Sequence, residues 1–198
     1  MTTIAAQTAA ATRENGPGIV HAADQPKTLS GGEGGSGRVP AVPPQHPDDE
    51  TLWRTRQDAL DIKTHGERLT PAEIEFCERL GGVYPDIPLS AVLEWIPKDK
   101  TMKPTNDFVW LANHGLVIEL KSPNSPTASA ATRLIRQAIT KARRQGVVKN
   151  NFIVDFGDQD VNPGELVELA RYNVVQRDTK VSLLWVMVKG KPQEIDLE

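Results

Sequence analysis

The sequence predicts an α/β fold: a mixed central β-sheet flanked by helices, preceded by a disordered tail. Three observations carry this expectation. Short apolar runs rich in Val, Ile, Leu, Phe and Trp alternate with longer segments of helical period, in the order helix, hairpin, helix, strand, helix, hairpin. Capping and turn residues punctuate these segments. A shift of composition near residue 50 separates them from what precedes.

Residues 1–48 are rich in Ala, Thr, Gly and Pro, with a Gly31-to-Gly37 stretch, a Pro40-to-Pro44 stretch and no periodic apolar face. Such a segment buries too little apolar surface to offset the entropy of ordering it, so it reads as a disordered tail or linker before a domain over 49–198. A short polar helix follows over 50–64, carrying Leu52, Trp53, Ala59, Leu60 and Ile62. Thr70-Pro71-Ala72-Glu73 opens a second helix, with Thr at the N-cap, Pro at the first helical position and Glu closing a capping box; Gly81-Gly82 ends it. Asn113-His114-Gly115 is a turn signal between two apolar runs, so 107–121 reads as a β-hairpin. Ser125-Pro126-Thr127 starts a helix over Ala130 to Gln145, with Leu134, Ile135, Ala138, Ile139 and Ala142 on one stripe. Asn151 to Phe156 is a short buried strand, and Asn162 opens a helix over Pro163 to Gln176. Val181 to Val188 is a strongly apolar strand, which Lys189-Gly190-Lys191 turns into an edge strand through Ile195.

With 198 residues, a quarter of them charged, the chain reads as soluble and long enough for one domain plus a tail. No stretch approaches the roughly 20 apolar residues of a membrane helix, and the N-terminus lacks the basic-then-apolar order of a secretory signal. Cys77 is the only cysteine, which excludes an intramolecular disulfide and a thiolate zinc site and leaves helix packing as its role. The net charge of −3 conceals an asymmetry: Lys121, Arg133, Arg136, Lys141, Arg143, Arg144 and Lys149 follow one another without an intervening Asp or Glu. A block of that kind suits a phosphate backbone.

The hairpin supplies the chemistry. Pairing Ala112 with Leu116 across the turn sets Asp107 opposite Lys121 and diagonal to Glu119. Alternation along the strand puts Glu119 and Lys121 on one face and Leu116, Ile118 and Leu120 on the other. Two neighbouring carboxylates suit Mg²⁺ or Mn²⁺, and an adjacent ammonium can orient water or steady charge on a phosphate. A Glu-x-Lys on a strand is also common as plain solvated charge; the otherwise apolar strand and the Asp in register argue for the site. On the second helix Glu73 falls within the apolar arc of Ile74, Phe76, Cys77 and Leu80. Its spacing admits two roles, closing the cap on Thr70 or reaching over the hairpin as a third acid. His114, at the turn, is accounted for by turn chemistry, and a His-based reaction is not favoured.

From about Thr70 onward the chain resembles the C-terminal tRNA-nuclease toxin domain of contact-dependent growth inhibition effectors, a branch of the PD-(D/E)xK nuclease superfamily. The residues that carry the likeness are Glu73 to Gly82, Asn106-Asp107-Phe108, Glu119-Leu120-Lys121-Ser122-Pro123, the helix end Ala142-Arg143-Arg144-Gln145, Phe152 to Asp155, and the closing hairpin Leu184 to Lys191. The resemblance implies a metal-dependent endonuclease in which Glu73, Asp107, Glu119 and Lys121 are catalytic, Asp107 and Glu119 hold the metal, and Lys121 positions the attacking water. Arg133, Arg136, Lys141, Arg143 and Arg144 then grip the substrate backbone, and Gln145 stands where such domains often carry a Gln. A literal Pro85-Asp86 lies too far upstream, in a Gly/Pro-rich turn, to be the motif's Asp. The likeness also implies tRNA as substrate, a cognate immunity protein, and action in the cytoplasm of a target cell. Two alternatives stay open: a DNA nuclease of a mobile element, and a non-catalytic nucleic-acid-binding or assembly module on the same fold.

Overall fold

Local sequence signals set the boundaries of most elements. The computed structural model describes residues 47–98, 100–101 and 104–198; the expected tail lies outside them apart from its last two residues, whose backbone begins the first helix. Helix α1 (Pro47–Ala59) lies earlier than the expected 50–64, because the chain leaves helical conformation and Asp61 takes a φ of 24°. Helix α2 (Pro71–Val83) starts on the capping box: the Thr70 side chain accepts from Glu73 N–H, and Glu73 Oε2 accepts from Thr70 N–H at 2.6 Å. It runs through Gly81 and Gly82 instead of stopping there. A one-turn helix α3 (Leu89–Val92) and a strand β1 (Leu93–Trp95) follow, neither of which the sequence announced.

The expected hairpin is β2 (Phe108–Trp110) and β3 (Leu116–Lys121). Helix α4 (Ala128–Arg143) is capped by the Thr127 hydroxyl, and β4 (Asn151–Asp155) follows it. The helix expected over 163–176 breaks at Arg171 into α5 (Pro163–Ala170), capped by Asn162, and α6 (Tyr172–Val175). Strands β5 (Leu183–Val188) and β6 (Lys191–Glu194) close the chain through Lys189 and Gly190, at φ 50° and 72°.

All six strands form one mixed sheet in the order β1-β2-β3-β4-β5-β6. The outer pairs are antiparallel, while β3-β4-β5 are parallel and joined by helical crossovers. Two apolar cores lie on opposite faces. On one, Ile74, Phe76, Cys77 and Leu80 of α2 pack on Phe108, Trp110, Ile118, Leu120, Ile153 and Met187. On the other, Ala131, Ile135 and Ile139 of α4, with Leu169 and Tyr172, pack on Phe152, Val154, Leu184 and Val186. Burial on both faces is why β4 reads as a continuous apolar run and not an alternating one. Arg79 of α2 reaches Asp155 Oδ2 at 2.5 Å, so the one charged group of β4 is paired where it is buried. Among the described residues no helix is long and apolar enough to cross a membrane.

Phe76 is fully buried and lies 5.3 Å from the Phe108 ring, linking α2 to the sheet at its centre. Phe76→Ala is expected to lower the unfolding free energy by about 3–5 kcal/mol, read from the urea midpoint at constant slope.

Candidate functional site

The hairpin brings the acidic residues together in a register different from the expected one. Trp110 pairs with Leu116 and Phe108 with Ile118, so the next pair outward is Asp107 with Glu119. Asp107 therefore stands opposite Glu119 and diagonal to Lys121, the reverse of the three-residue-turn reading. The turn is wider, Leu111–Gly115, with His114 and Gly115 at φ 55° and 68°; Asn113 and Gly115 N–H both donate to Trp110 O at 3.1 Å, while Ala112 N–H donates to Val92 O at 3.1 Å and not across to Leu116. A slip by two residues keeps every side chain on its face, so the three polar groups still converge.

Their geometry is tight. Lys121 Nζ donates to Glu119 Oε1 at 2.7 Å and to the Leu120 carbonyl at 2.7 Å, and lies 4.0 Å from Asp107 Oδ2. Asp107 Oδ2 also accepts from Leu120 N–H at 2.7 Å. Three oxygens from β3 and the residue beside it thus surround one ammonium. Glu119 is only 4 % exposed, because this face of β3 turns toward α4. Its second oxygen accepts from the buried Lys149 ammonium, which donates also to the Thr105 carbonyl. Lys149 thereby ties the segment leading into Asp107 to the strand that carries Glu119.

The cluster lies in a cleft of about 470 Å³, whose other walls include Trp95, Lys98, Leu134, Gln137 and Lys141. Glu73 lines the same cleft, with its carboxylate committed to Thr70 N–H. Among the described residues no three His, Cys, Asp or Glu side chains gather around one point, so the acidic pair is Asp107 and Glu119. Arg133, Arg136 and Arg144 border a neighbouring groove with Gln137, Thr140 and Lys141. Arg143 and Gln145 are exposed and border neither. Pro85 and Asp86 sit in the turn after α2, outside the cleft. His65 pairs with Glu94 at 2.9 Å, away from the acidic pair.

Lys149 is the residue that sequence reasoning left among the general basic block. A lysine in a polar loop, between Val148 and Asn150, carries no local sign that it will be buried. Gln137 was missed for the opposite reason, since it lies on the polar side of an amphipathic helix where solvent is the default neighbour.

Electrostatics follow from the burial. Burial first, and then the Glu119 carboxylate opposite, push the Asp107 carboxyl up to about 6; Lys121, the Leu120 N–H and Lys149 act against that rise. Burial likewise raises the Cys77 thiol, which is packed inside the α2 core and is inert there. No protein-family model matches the chain, and neither does any curated protein or solved structure.

Two outcomes test this electrostatic picture in the metal-free protein. Since Asp107 binds its proton more tightly folded than unfolded, its contribution to stability is present at low pH and lost as pH rises through about 6. Asp107→Asn should match the parent near pH 4 and exceed it near pH 8 by on the order of 1–2 kcal/mol; equal stabilities at both pH values would refute the raised pKa. Lys149→Met leaves a buried carboxylate short of one partner and should cost on the order of 3 kcal/mol, with the added change Glu119→Gln returning part of the loss.

Proposed function

We propose that this chain is a metal-dependent nuclease hydrolysing phosphodiester bonds, on a PD-(D/E)xK-like arrangement of its α/β sheet. The observation that carries the reading is the convergence of Glu119 Oε1, the Leu120 carbonyl and Asp107 Oδ2 on one cationic point inside a cleft. An all-oxygen set of this kind fits a hard divalent cation such as Mg²⁺ or Mn²⁺, with Asp107 and Glu119 as its side-chain ligands. Such an ion, when bound, supplies Lewis-acid stabilisation of charge on the phosphoryl oxygens.

The chain's own residues do the rest. Lys121, whose ammonium sits among those same three oxygens in the metal-free chain, would yield that place to the ion and, from beside it, hold a water against the phosphorus and steady charge developing on the phosphate. Lys149 keeps the Glu119 carboxylate in one orientation. Glu73 orders the cleft edge through the α2 cap. Lys98 and Lys141 add positive potential around the opening, which draws a polyanion in. The resemblance to contact-dependent growth inhibition toxins makes tRNA the preferred substrate and a cognate immunity protein the expected partner.

A second reading has an observation of its own. Both Glu119 oxygens already accept from lysines, which leaves the cluster neutralised without any ion. On that reading the chain is a non-catalytic nucleic-acid-binding or assembly module, and the cluster is a buried structural network.

One experiment separates them: the purified chain incubated with total tRNA and with duplex DNA, in Mg²⁺ or in EDTA, beside Asp107→Ala and Lys121→Ala. Cleavage of tRNA in Mg²⁺ only, reduced at least about a hundredfold in both variants, is expected. Cleavage that survives EDTA or either substitution would sink the mechanism, and DNA cut in preference to tRNA would move the chain to the DNA nucleases. Proton competition at Asp107 also requires activity to rise with pH through the region of 6 when the ion is limiting.

A further inference from the structure

The cations without carboxylate partners are concentrated on one helix face. Elsewhere many basic groups are paired: Arg54 and Arg68 sit on Glu50, Arg56 on Glu78, Lys63 on Glu94, and Arg79 on Asp155, while the unpaired Arg177, Lys180 and Lys191 are scattered over the last third of the chain. Among the described residues Arg133, Arg136, Lys141 and Arg144 have no carboxylate within ion-pair distance, and all four are exposed. Their spacing of three to five residues puts them on one side of α4, where with Gln137 and Thr140 they line a groove of about 520 Å³. Gln137 and Lys141 line the Asp107/Glu119 cleft as well, so groove and cleft are continuous.

Four like charges along one helix repel one another, and the intrahelical context offers only the last-turn dipole in return. A polyanion supplies what the fold leaves out. At about 1.5 Å rise per residue, the stripe from Arg133 to Arg144 is roughly 16 Å long, straight and rigid, which suits a few phosphates of a regular backbone. The aromatic residues decide between a duplex and a single strand. Among the described residues every Phe, Trp and Tyr is buried or half-buried, and the exposed large apolar residues are all aliphatic. Tight single-strand binding rests on bases stacked on exposed aromatic rings, and this surface has none.

We propose that the outer face of α4 is a docking surface for the phosphate backbone of a double-helical nucleic acid, gripped by Arg133, Arg136, Lys141 and Arg144 without base stacking. The proposal rests on the nuclease reading for where the strand leads: along α4, past Gln137 and Lys141, to the acidic pair. The grip is sequence-independent, because phosphate contacts position a duplex without reading it. Arg143 and Gln145 are exposed but do not line the groove.

The test uses the full chain in EDTA, where cleavage is silent, and measures binding by fluorescence anisotropy from about 50 to about 200 mM salt. The probes are RNA and DNA duplexes of about 20 base pairs, single strands of the same length, and polyglutamate as a non-nucleic polyanion. Duplexes should bind tighter than single strands and polyglutamate, with a log–log salt slope near −3 to −4. Arg133→Ala, Arg136→Ala and Arg144→Ala should each reduce that slope by about 1, whereas Lys191→Ala, with the same change of net charge on a distant strand, leaves it unmoved. Slopes that fall equally in Lys191→Ala, or tighter binding of the single strand or of polyglutamate, overturn the proposal. Intact slopes with no cleavage in Mg²⁺ would support the docking surface while sinking the nuclease reading; cleavage with unmoved slopes would sink the docking surface alone.

Discussion

A carboxylate buried on a central strand has to be neutralised where it stands, and in this protein the neutralisation of Glu119 organises the region around it. Removing an ionised group from water costs several kcal/mol unless charge and hydrogen bonds are returned to it. Here the partners are two ammonium groups: Lys121 on the same strand, and Lys149 from the loop before β4, which donates also to the Thr105 carbonyl. One buried charge thus holds the segment leading into β2, the strand β3 and the approach to β4 in fixed relation. Asp107 is drawn into the same field, and its pKa is raised by burial first and then by the Glu119 carboxylate beside it. An apolar pair would stabilise such a position as well or better. A cluster of this composition is better understood as a means of placing charge at the floor of a cleft.

The two faces of the sheet divide the work. On the α2 side the packing is apolar from Phe76 to Met187, and the charged pair of Arg79 and Asp155 is closed on itself. On the α4 side the apolar contact covers β4 and β5, and it gives way to the charged cluster over β3 and β2. Helix α4 spans that boundary with three separate faces. Ile135 and Ile139 are buried in the core, Leu134 and Ala138 form a wall of the cleft, and Arg133, Arg136 and Arg144 face solvent. A single amphipathic helix therefore anchors the sheet, shapes the cleft and presents positive potential beside it.

Local chemistry made much of this legible beforehand. Thr70, Thr127 and Asn162 cap the helices they announce, and Lys189-Gly190 turns the last hairpin. These signals act within a few residues, so they survive without knowledge of the fold. The mixed sheet followed from the order of elements, since strands separated by helices have to cross over to pair. Strand β1 was not legible: three residues flanked by a one-turn helix carry too little period, and their strand conformation comes from pairing with β2. The break at Arg171 was hidden for a related reason, because helical period continues through it while Tyr172 turns into the core.

For the site, the sequence determined which groups share a face, because alternation along a strand is indifferent to a slip of two residues. Asp107, Glu119 and Lys121 were bound to meet once the hairpin formed. Only the tertiary structure decided how they meet. The five-residue turn, with Ala112 bonded to Val92 and not to Leu116, goes with a register in which Asp107 faces Glu119, and the path of the chain before β4 buried Lys149 against the same carboxylate. Contacts between segments far apart in the chain have no local signature, so the number and disposition of charges around Glu119 were invisible until the chain was folded.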